Sequence, residues 1–163
     1  MAKRPDSSAA QPPPGQHALR ILARREVSEA RLAWDLAAQG LDPERVQAEL
    51  EAARRLGALD DIRSAGVRAL TLVEKGTHGR QGMQARLLAA GYPTELVQRV
   101  LQTAIEAAAW DEPTAARRLL SNRPAPTDPR GLARLGRFLL ARGFGPETVR
   151  RVLPGLEGME GPG

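Results

Sequence analysis

The 163-residue chain contains no cysteine. This absence excludes a disulfide framework, a thiol nucleophile and a thiolate-bound metal, and it is typical of proteins that work in a reducing compartment. Histidine is also scarce, because only His17 and His78 are present. Neither has a second histidine near it in the sequence, so no His-based catalytic or metal cluster is evident. We therefore predict no catalytic residue, no metal ion and no cofactor.

Aromatic residues make up only 3% of the chain, against 42% hydrophobic residues in total. The β-branched and aromatic runs that strands favour are absent, whereas Ala, Leu, Arg, Glu and Gln dominate between Gly and Pro. No apolar run approaches the length needed to span a membrane, and residues 6–16 are polar and Pro-rich where a signal peptide would be apolar. The sequence predicts a soluble, cytoplasmic, all-α protein whose core is mostly Ala, Leu and Val.

The chain does contain an internal repeat, in which Leu, three residues, Gly, five residues, Val, three residues and Leu occur three times. The glycines of the three copies lie 51 and 52 positions apart. The copies are Leu36/Gly40/Val46/Leu50, Leu87/Gly91/Val97/Leu101 and Leu139/Gly143/Val149/Leu153. A period of this size is typical of stacked supersecondary units that cannot bury their apolar faces alone. We predict three tandem three-helix repeats that form an elongated, curved helical array.

Gly, Pro and capping residues divide the chain into five parts. Ser28, Asp42 and Asp111 are predicted N-caps, and Gly40 is a predicted left-handed helix stop. The Gly-rich stretch 76–82 is interpreted as a hinge between helices, because it lacks the Gly-Lys-Ser/Thr ending of a phosphate-binding loop and follows no strand. The predicted parts are a disordered leader 1–16, repeat 1 at 17–59, repeat 2 at 60–110, repeat 3 at 111–153 and a disordered tail 154–163.

Charge is distributed unevenly along the chain. The formal net charge is +5, and residues 112–163 carry nine Arg against five acidic residues, whereas residues 17–58 carry seven of each. At about 100° per residue, one face of the penultimate helix carries leucines and the opposite face carries Arg130, Arg134 and Arg137. Such a row favours a partner of negative charge, although an ordinary solvated face is the alternative. The predicted partner-binding residues are Arg130, Arg134, Arg137, Arg142, Arg150 and Arg151.

The third helix of repeat 1 carries Arg45/Glu49 and Glu51/Arg55 pairs four residues apart. Pairs at this spacing are neighbours on a helix surface, and each is worth about 0.2 to 0.5 kcal/mol. We interpret this face as solvated rather than functional.

Several short stretches resemble those of a known family. They are residues 18–28, Leu59-Asp60-Asp61 with Ala65 after it, Asp111-Glu112, and Arg142-Gly143-Phe144. In this order and spacing, residues 17–153 resemble the RecX family of bacterial recombination regulators. The chain departs from the family at Ser64, where an aromatic residue is usual, and in the Pro-rich linker 123–129.

The resemblance implies a regulatory protein that binds the RecA recombinase and lodges in the groove of its nucleoprotein filament. Filament extension, ATP hydrolysis, strand exchange and coprotease activity would then be inhibited without any catalysis by the inhibitor. The basic third repeat would face acidic recombinase surface or bound DNA, with at most a weak, non-specific DNA contact. We expect such a protein to act as a monomer.

A helix-turn-helix transcriptional regulator is the alternative, because the stretch from Leu36 through Gly40 to Leu50 has the helix, Gly turn, helix rhythm of that motif. Its second helix, however, carries Glu44, Glu49 and Glu51, which DNA phosphates would repel. Sequence-specific binding to duplex DNA would favour this alternative.

Overall fold

The computed structural model describes residues 12–155; residues 1–11 of the expected leader and 156–163 of the expected tail lie outside the described residues. Within 12–155 the secondary structure consists of nine α-helices and no strand. The all-α prediction is therefore confirmed. The chain divides into two compact units, one up to Asp60 and one from Asp61 onward.

Unit 1 contains three helices that pack against one another, α1 (Gln16–Leu22), α2 (Glu29–Ala38) and α3 (Pro43–Arg55). Ser28 caps α2, since its Oγ accepts a hydrogen bond from Arg31 N at 3.2 Å. The core of the unit is built almost entirely from aliphatic residues, as the composition predicts. Its buried members are Ala18, Val27, Leu32, Leu36, Val46, Leu50, Ala53 and Leu59.

Unit 2 contains six helices in two groups of three. The first group is α4 (Asp61–Lys75), α5 (Arg80–Ala89) and α6 (Thr94–Ala107), and the second is α7 (Glu112–Ser121), α8 (Pro129–Ala141) and α9 (Pro146–Val152). Each group has its own apolar cluster, and Trp110 packs against both clusters. Together with unit 1, this grouping is consistent with three tandem three-helix repeats.

The positions matched by the internal repeat have the same structural role in each copy. All nine matched Leu and Val residues are buried, with exposed fractions of 8% or less. The matched glycines Gly40, Gly91 and Gly143 have φ angles of 88°, 92° and 74°. These left-handed angles end the preceding helix, and glycine adopts them without the steric cost that a Cβ brings. The sequence repeat is therefore a repeat of helix stops and core positions.

The end of α6 carries a left-handed residue that is not glycine. The helix ends at Ala107, and Ala109 has a φ of 46°. A left-handed residue cannot continue a right-handed helix. Because Ala109 has a Cβ, this conformation carries a steric cost that glycine would avoid. In unit 1 the corresponding stop, 52 positions earlier, is Gly57 with a φ of 68°.

Residues 12–15, assigned from the sequence to the leader, make specific contacts with α3. Gly15 is buried and donates its N–H to Glu49 Oε2 at 2.9 Å. The carbonyl oxygen of Pro12 accepts a hydrogen bond from the Arg45 guanidinium. Residues before position 17 therefore also pack on unit 1, because polar contacts hold residues 12–15 against α3.

The interpretation of the Arg45/Glu49 pair as solvated is wrong for Glu49, which is 0% exposed. Its Oε2 accepts hydrogen bonds from the backbone N–H groups of Gly15 and Ala18, at 2.9 and 3.0 Å, and its Oε1 pairs with Arg45 at 3.1 Å. Gly15 provides no side-chain cap for α1. A carboxylate from α3 therefore satisfies the first N–H groups of α1.

The Gly-rich stretch 76–82 is a site of backbone contact rather than a hinge. A Cβ on Gly79 would lie 2.3 Å from Gly143 O, and a Cβ on Gly82 would lie 2.1 Å from Arg142 O. Gly79 N also donates a hydrogen bond to Arg142 O at 3.0 Å. The start of α5 thus packs directly against the turn between α8 and α9, and only glycine permits this distance.

Candidate partner-binding surface

Helix α8 separates its apolar face from its arginines as the sequence predicts. Leu139 is buried, and Leu132 and Leu135 pack against the cluster of the third helical group. Arg130, Arg134 and Arg137 are all exposed. Since residues i, i+4 and i+7 share one helix face, these three guanidinium groups form a row about 10 Å long. We call Arg130, Arg134 and Arg137 the α8 arginine row.

The start of α8 is fixed by Asp128, whose Oδ1 accepts a hydrogen bond from Gly131 N at 2.6 Å. Pro129 follows as the first helical residue, where its missing N–H costs nothing. Leucines and buried glycines hold the other face of the helix. The α8 arginine row is thus presented by a capped and anchored helix rather than by a loop.

Arg142 differs from the row because it is half-buried and has structural partners. Its Nη1 donates a hydrogen bond to Thr77 O at 3.2 Å, and its guanidinium carbon lies 4.7 Å from the centre of the Phe138 ring. Arg123 lies over the same ring at 3.7 Å. Cation–π contacts of this kind hold both side chains against Phe138. Arg142 therefore connects the end of α8 to the segment that precedes α5 instead of projecting into solvent.

Arg150 and Arg151 lie on the short helix α9. Both are exposed, and together with Pro113, Glu147 and Thr148 they line a shallow depression. Arg150 forms an ion pair with Glu147, which reduces the positive charge available at that point. Arg151 is close enough to Asp111 to act on it electrostatically.

Asp111, the predicted N-cap of α7, performs that role. The side-chain and backbone hydrogen bonds from Thr114 lower the pKa of its carboxyl below the ordinary value, and the charges of Arg151 and Arg117 lower it further. Hydrogen bonds and positive charge both favour the ionised form. The carboxylate of Asp111 therefore stays charged at neutral pH at the start of the arginine-rich segment.

Glu112 is a residue whose role the sequence does not reveal. Its Oε1 accepts a hydrogen bond from Arg80 N at 2.8 Å, and its Oε2 accepts one from Thr148 Oγ1 at 2.6 Å and one from Gly145 N at 3.3 Å. One carboxylate thus serves the first turns of α5 and α9. The only signal in the sequence is that both helices begin after a glycine, Gly79 and Gly145, which has no side chain to cap them.

His78 lies in the Gly-rich stretch and is half-buried. Burial is the main reason why its pKa is lowered from the ordinary value of 6.5, and the positive charges of Arg86 and Arg142 lower it further. Its Nδ1 lies 3.0 Å from Thr77 Oγ1. Folding therefore favours the neutral imidazole. Between residues 12 and 155, no group of three or more His, Asp or Glu side chains is arranged to hold a metal ion.

Comparison with known proteins identifies the family. The chain is 36% identical over 143 residues to a regulatory protein RecX of Acidithiobacillus ferrooxidans, in an alignment that covers 83% of this chain and 85% of that protein. The chain belongs to the RecX family. A second RecX regulatory protein, from Halorhodospira halophila, is 36% identical over 133 residues, covering 82% of this chain and 81% of that protein. No protein-family model matches the chain.

Solved RecX structures have the same fold. The crystal structure of RecX from Lactobacillus salivarius superposes with a TM-score of 0.68 at 15% identity and covers 87% of this chain and 93% of that one. Another crystal structure of a regulatory protein RecX gives a TM-score of 0.67 at 17% identity, over 85% of this chain and 71% of that one. At these identities the likeness concerns the fold alone. The resemblance inferred from the sequence motifs is confirmed by the relatives.

Ser64 is buried and accepts a hydrogen bond from the Tyr92 hydroxyl at 3.1 Å. On α3, Glu44 and Glu51 are exposed, and their negative charges oppose a role for this helix in the major groove of DNA. Glu49 is buried and has no bearing on this question.

Across residues 12–155, every helix is too short or too polar to cross a bilayer.

Proposed function

We propose that this protein regulates the RecA recombinase. In this proposal it binds the nucleoprotein filament in the cytoplasm and inhibits filament extension, ATP hydrolysis, strand exchange and coprotease activity. It acts as a monomer by occupying surface, and it catalyses no reaction. The observation that carries the proposal is the 36% identity to RecX regulatory proteins over most of both chains.

The surface we assign to the recombinase is the α8 arginine row together with Arg150 and Arg151. The row supports this assignment because three exposed cations on one face repel each other mildly and contribute little to folding. Guanidinium groups match carboxylates and phosphates in a bidentate geometry, so the row fits acidic protein surface or nucleic-acid backbone. Arg142, the remaining sequence candidate, serves the proposal as a positioning residue, because it holds the end of α8 through Thr77 and Phe138.

The test is DNA-dependent ATP hydrolysis by the cognate recombinase, titrated with this protein at fixed salt. Inhibition at well below one molecule per recombinase protomer is the expected result, since blocking the growth of a filament affects many protomers at once. Filament length by electron microscopy should fall over the same concentration range. Normal hydrolysis at an excess of this protein would contradict the proposal.

A further inference from the structure

Trp34 is the single aromatic residue in the sequence of unit 1, and 61% of its surface is accessible. The guanidinium carbon of Arg31 lies 4.4 Å from the centre of its ring. Arg31 Nε in turn pairs with Asp35 at 3.1 Å, so the guanidinium is held in place over the indole. The exposure of the ring shows that this contact leaves much of the indole surface accessible. An exposed aromatic ring with a fixed cation beside it is a surface on which a flat ring can stack, and we call Trp34 and Arg31 a stacking platform.

A basic depression of about 290 Å³ lies next to this platform and is lined by Asp35, the partner of Arg31. Arg25 lines the depression and pairs with Asp35 at 2.7 Å. Along α1 and the turn after it, His17, Arg20 and Arg24 line the same depression at a helical spacing. Arg31 and Asp35 link Trp34 to this depression through the contacts above. We give the name Trp34 surface to the residues that these contacts connect, which are Trp34, Arg31, Asp35, Arg25, Arg24, Arg20 and His17.

The Trp34 surface is far more basic than unit 1 as a whole. Residues 17–58 carry seven Arg and seven acidic residues, yet this surface has four Arg against one Asp. The carboxylate of Asp35 orients Arg25 and Arg31, and neither Arg20 nor Arg24 is ion-paired with another residue of the described chain. Asp35 is thus a positioning residue, and Arg20 and Arg24 are available to a negatively charged ligand.

We propose that the Trp34 surface binds single-stranded nucleic acid, with a base stacked on Trp34 and the adjoining phosphates on Arg20, Arg24 and Arg25. The combination of aromatic ring and arginines decides the ligand class. An acidic peptide would use the arginines but has no flat ring to place on the indole, and a duplex keeps its bases inside the stack. This site shares no residue with the α8 arginine row and does not depend on the proposed binding to the recombinase.

The experiment uses the full chain without recombinase and a fluorescein-labelled oligothymidylate of about 15 nucleotides, with oligouridylate as the ribose counterpart. Binding is measured by anisotropy and by tryptophan fluorescence. Trp110 is the only other tryptophan, so Trp110→Phe leaves Trp34 as the sole reporter and Trp34→Phe leaves Trp110. We expect quenching in the Trp110→Phe protein and a much smaller change in the Trp34→Phe protein. An abasic oligomer should bind more weakly and should not quench.

Variants then assign the binding to the surface. Trp34→Ala should weaken binding about tenfold, within the range found for the loss of one stacked base. R20Q/R24Q should weaken it and reduce the slope of log K against log salt by about 1.4, since single strands release about 0.7 counterions per phosphate contact. R68Q/R99Q removes two exposed arginines of unit 2 and should leave both quantities unchanged. Circular dichroism checks that each variant is folded.

Three results would overturn the proposal. The first is the absence of quenching at Trp34 while the oligomer binds. The second is equal weakening by R20Q/R24Q and R68Q/R99Q, which would mean non-specific attraction by net charge. The third is equal or tighter binding of polyglutamate or of duplex DNA at this surface, which would assign it to another class of partner. Inhibition of recombinase is read separately, so failure here and failure of the proposed function remain distinguishable.

Discussion

At the scale of single residues, two glutamate carboxylates accept hydrogen bonds from the first N–H groups of helices. In most helices the side chain of the residue preceding the helix accepts these bonds. Gly15, Gly79 and Gly145 stand at the N-cap positions of α1, α5 and α9 and offer no side chain. Glu49 supplies the acceptor for α1, and Glu112 supplies acceptors for α5 and α9. A negative charge at these helix ends also interacts favourably with the helix dipole. Each carboxylate thereby joins elements that are more than 30 positions apart in the chain.

Replacing Glu49 by Ala should destabilise unit 1 by about 2 to 4 kcal/mol, because the N–H groups of Gly15 and Ala18 would lose their acceptor in a buried place. The measurement is urea unfolding followed by circular dichroism. Glu51→Ala is the matched control, since it removes an exposed glutamate from the same helix, and it should change stability by less than about 0.5 kcal/mol. Equal effects of the two substitutions would contradict the assigned role of Glu49.

His78 provides a pH-dependent prediction. Because its folded-state pKa is lowered from 6.5, folding favours the neutral ring. Its contribution to stability is therefore fully present above pH 6.5 and is lost as the pH falls through the folded-state pKa. Imidazole proton shifts in an NMR titration should give a midpoint below 6.5. Arg86→Gln should raise this midpoint without restoring 6.5, because burial, the main cause, remains. Arg68→Gln, which removes a charge that does not act on His78, should leave the midpoint unchanged.

At the scale of helices, glycine has two different uses in this chain. Gly40, Gly91 and Gly143 end helices through positive φ angles, which a period in the sequence can reveal. Gly79 and Gly82 instead allow the backbone at the start of α5 to touch the turn after α8. Gly66 belongs to neither group, since it lies inside α4 and a Cβ there would meet nothing within 4 Å. These glycines look alike in the sequence and differ only in what surrounds them.

Gly79→Ala and Gly66→Ala should therefore have opposite effects. The Cβ of the first would lie 2.3 Å from backbone atoms of Gly143 and Phe144, and forcing the two segments apart should cost about 2 to 3 kcal/mol. The second should stabilise α4 by about 0.5 to 1 kcal/mol, as Ala does for Gly in a helix interior. Thermal unfolding of both variants tests the pair. A neutral Gly79→Ala would mean that the contact between α5 and the turn is not maintained in solution.

At the scale of the whole molecule, charge is organised on surfaces rather than along the sequence alone. The basic excess of residues 112–163 can be counted from the sequence, and it includes the α8 arginine row. The Trp34 surface cannot be found in that way, because its segment of the chain is neutral overall. Folding places its arginines together and buries Glu49. Each unit thus carries a basic surface of its own.

If the α8 arginine row contacts the recombinase, the effect of neutralising it should depend on the salt concentration. In the recombinase assay, R134Q/R137Q should raise the half-inhibitory concentration by up to about thirtyfold at low salt, as two exposed charge contacts of at most about 1 kcal/mol each imply. The difference from the unaltered protein should shrink as salt rises, because ions screen exposed charges. R68Q/R99Q, with the same loss of charge, should inhibit normally. Unchanged inhibition by R134Q/R137Q with intact helicity would remove this face from the site.

The sequence by itself determined the helical class, the helix stops, the core positions of the repeat, the family and the exposed row on α8. These properties depend on local periodicity, on capping residues such as Ser28 and Asp111, and on the φ angles that glycine permits. Tertiary structure alone decided the burial of Glu49, the junction at Glu112, the close approach at Gly79 and the Trp34 surface. In each case the partners are distant in the chain, and whether a carboxylate, a glycine or an arginine faces solvent or protein is settled only when helices pack.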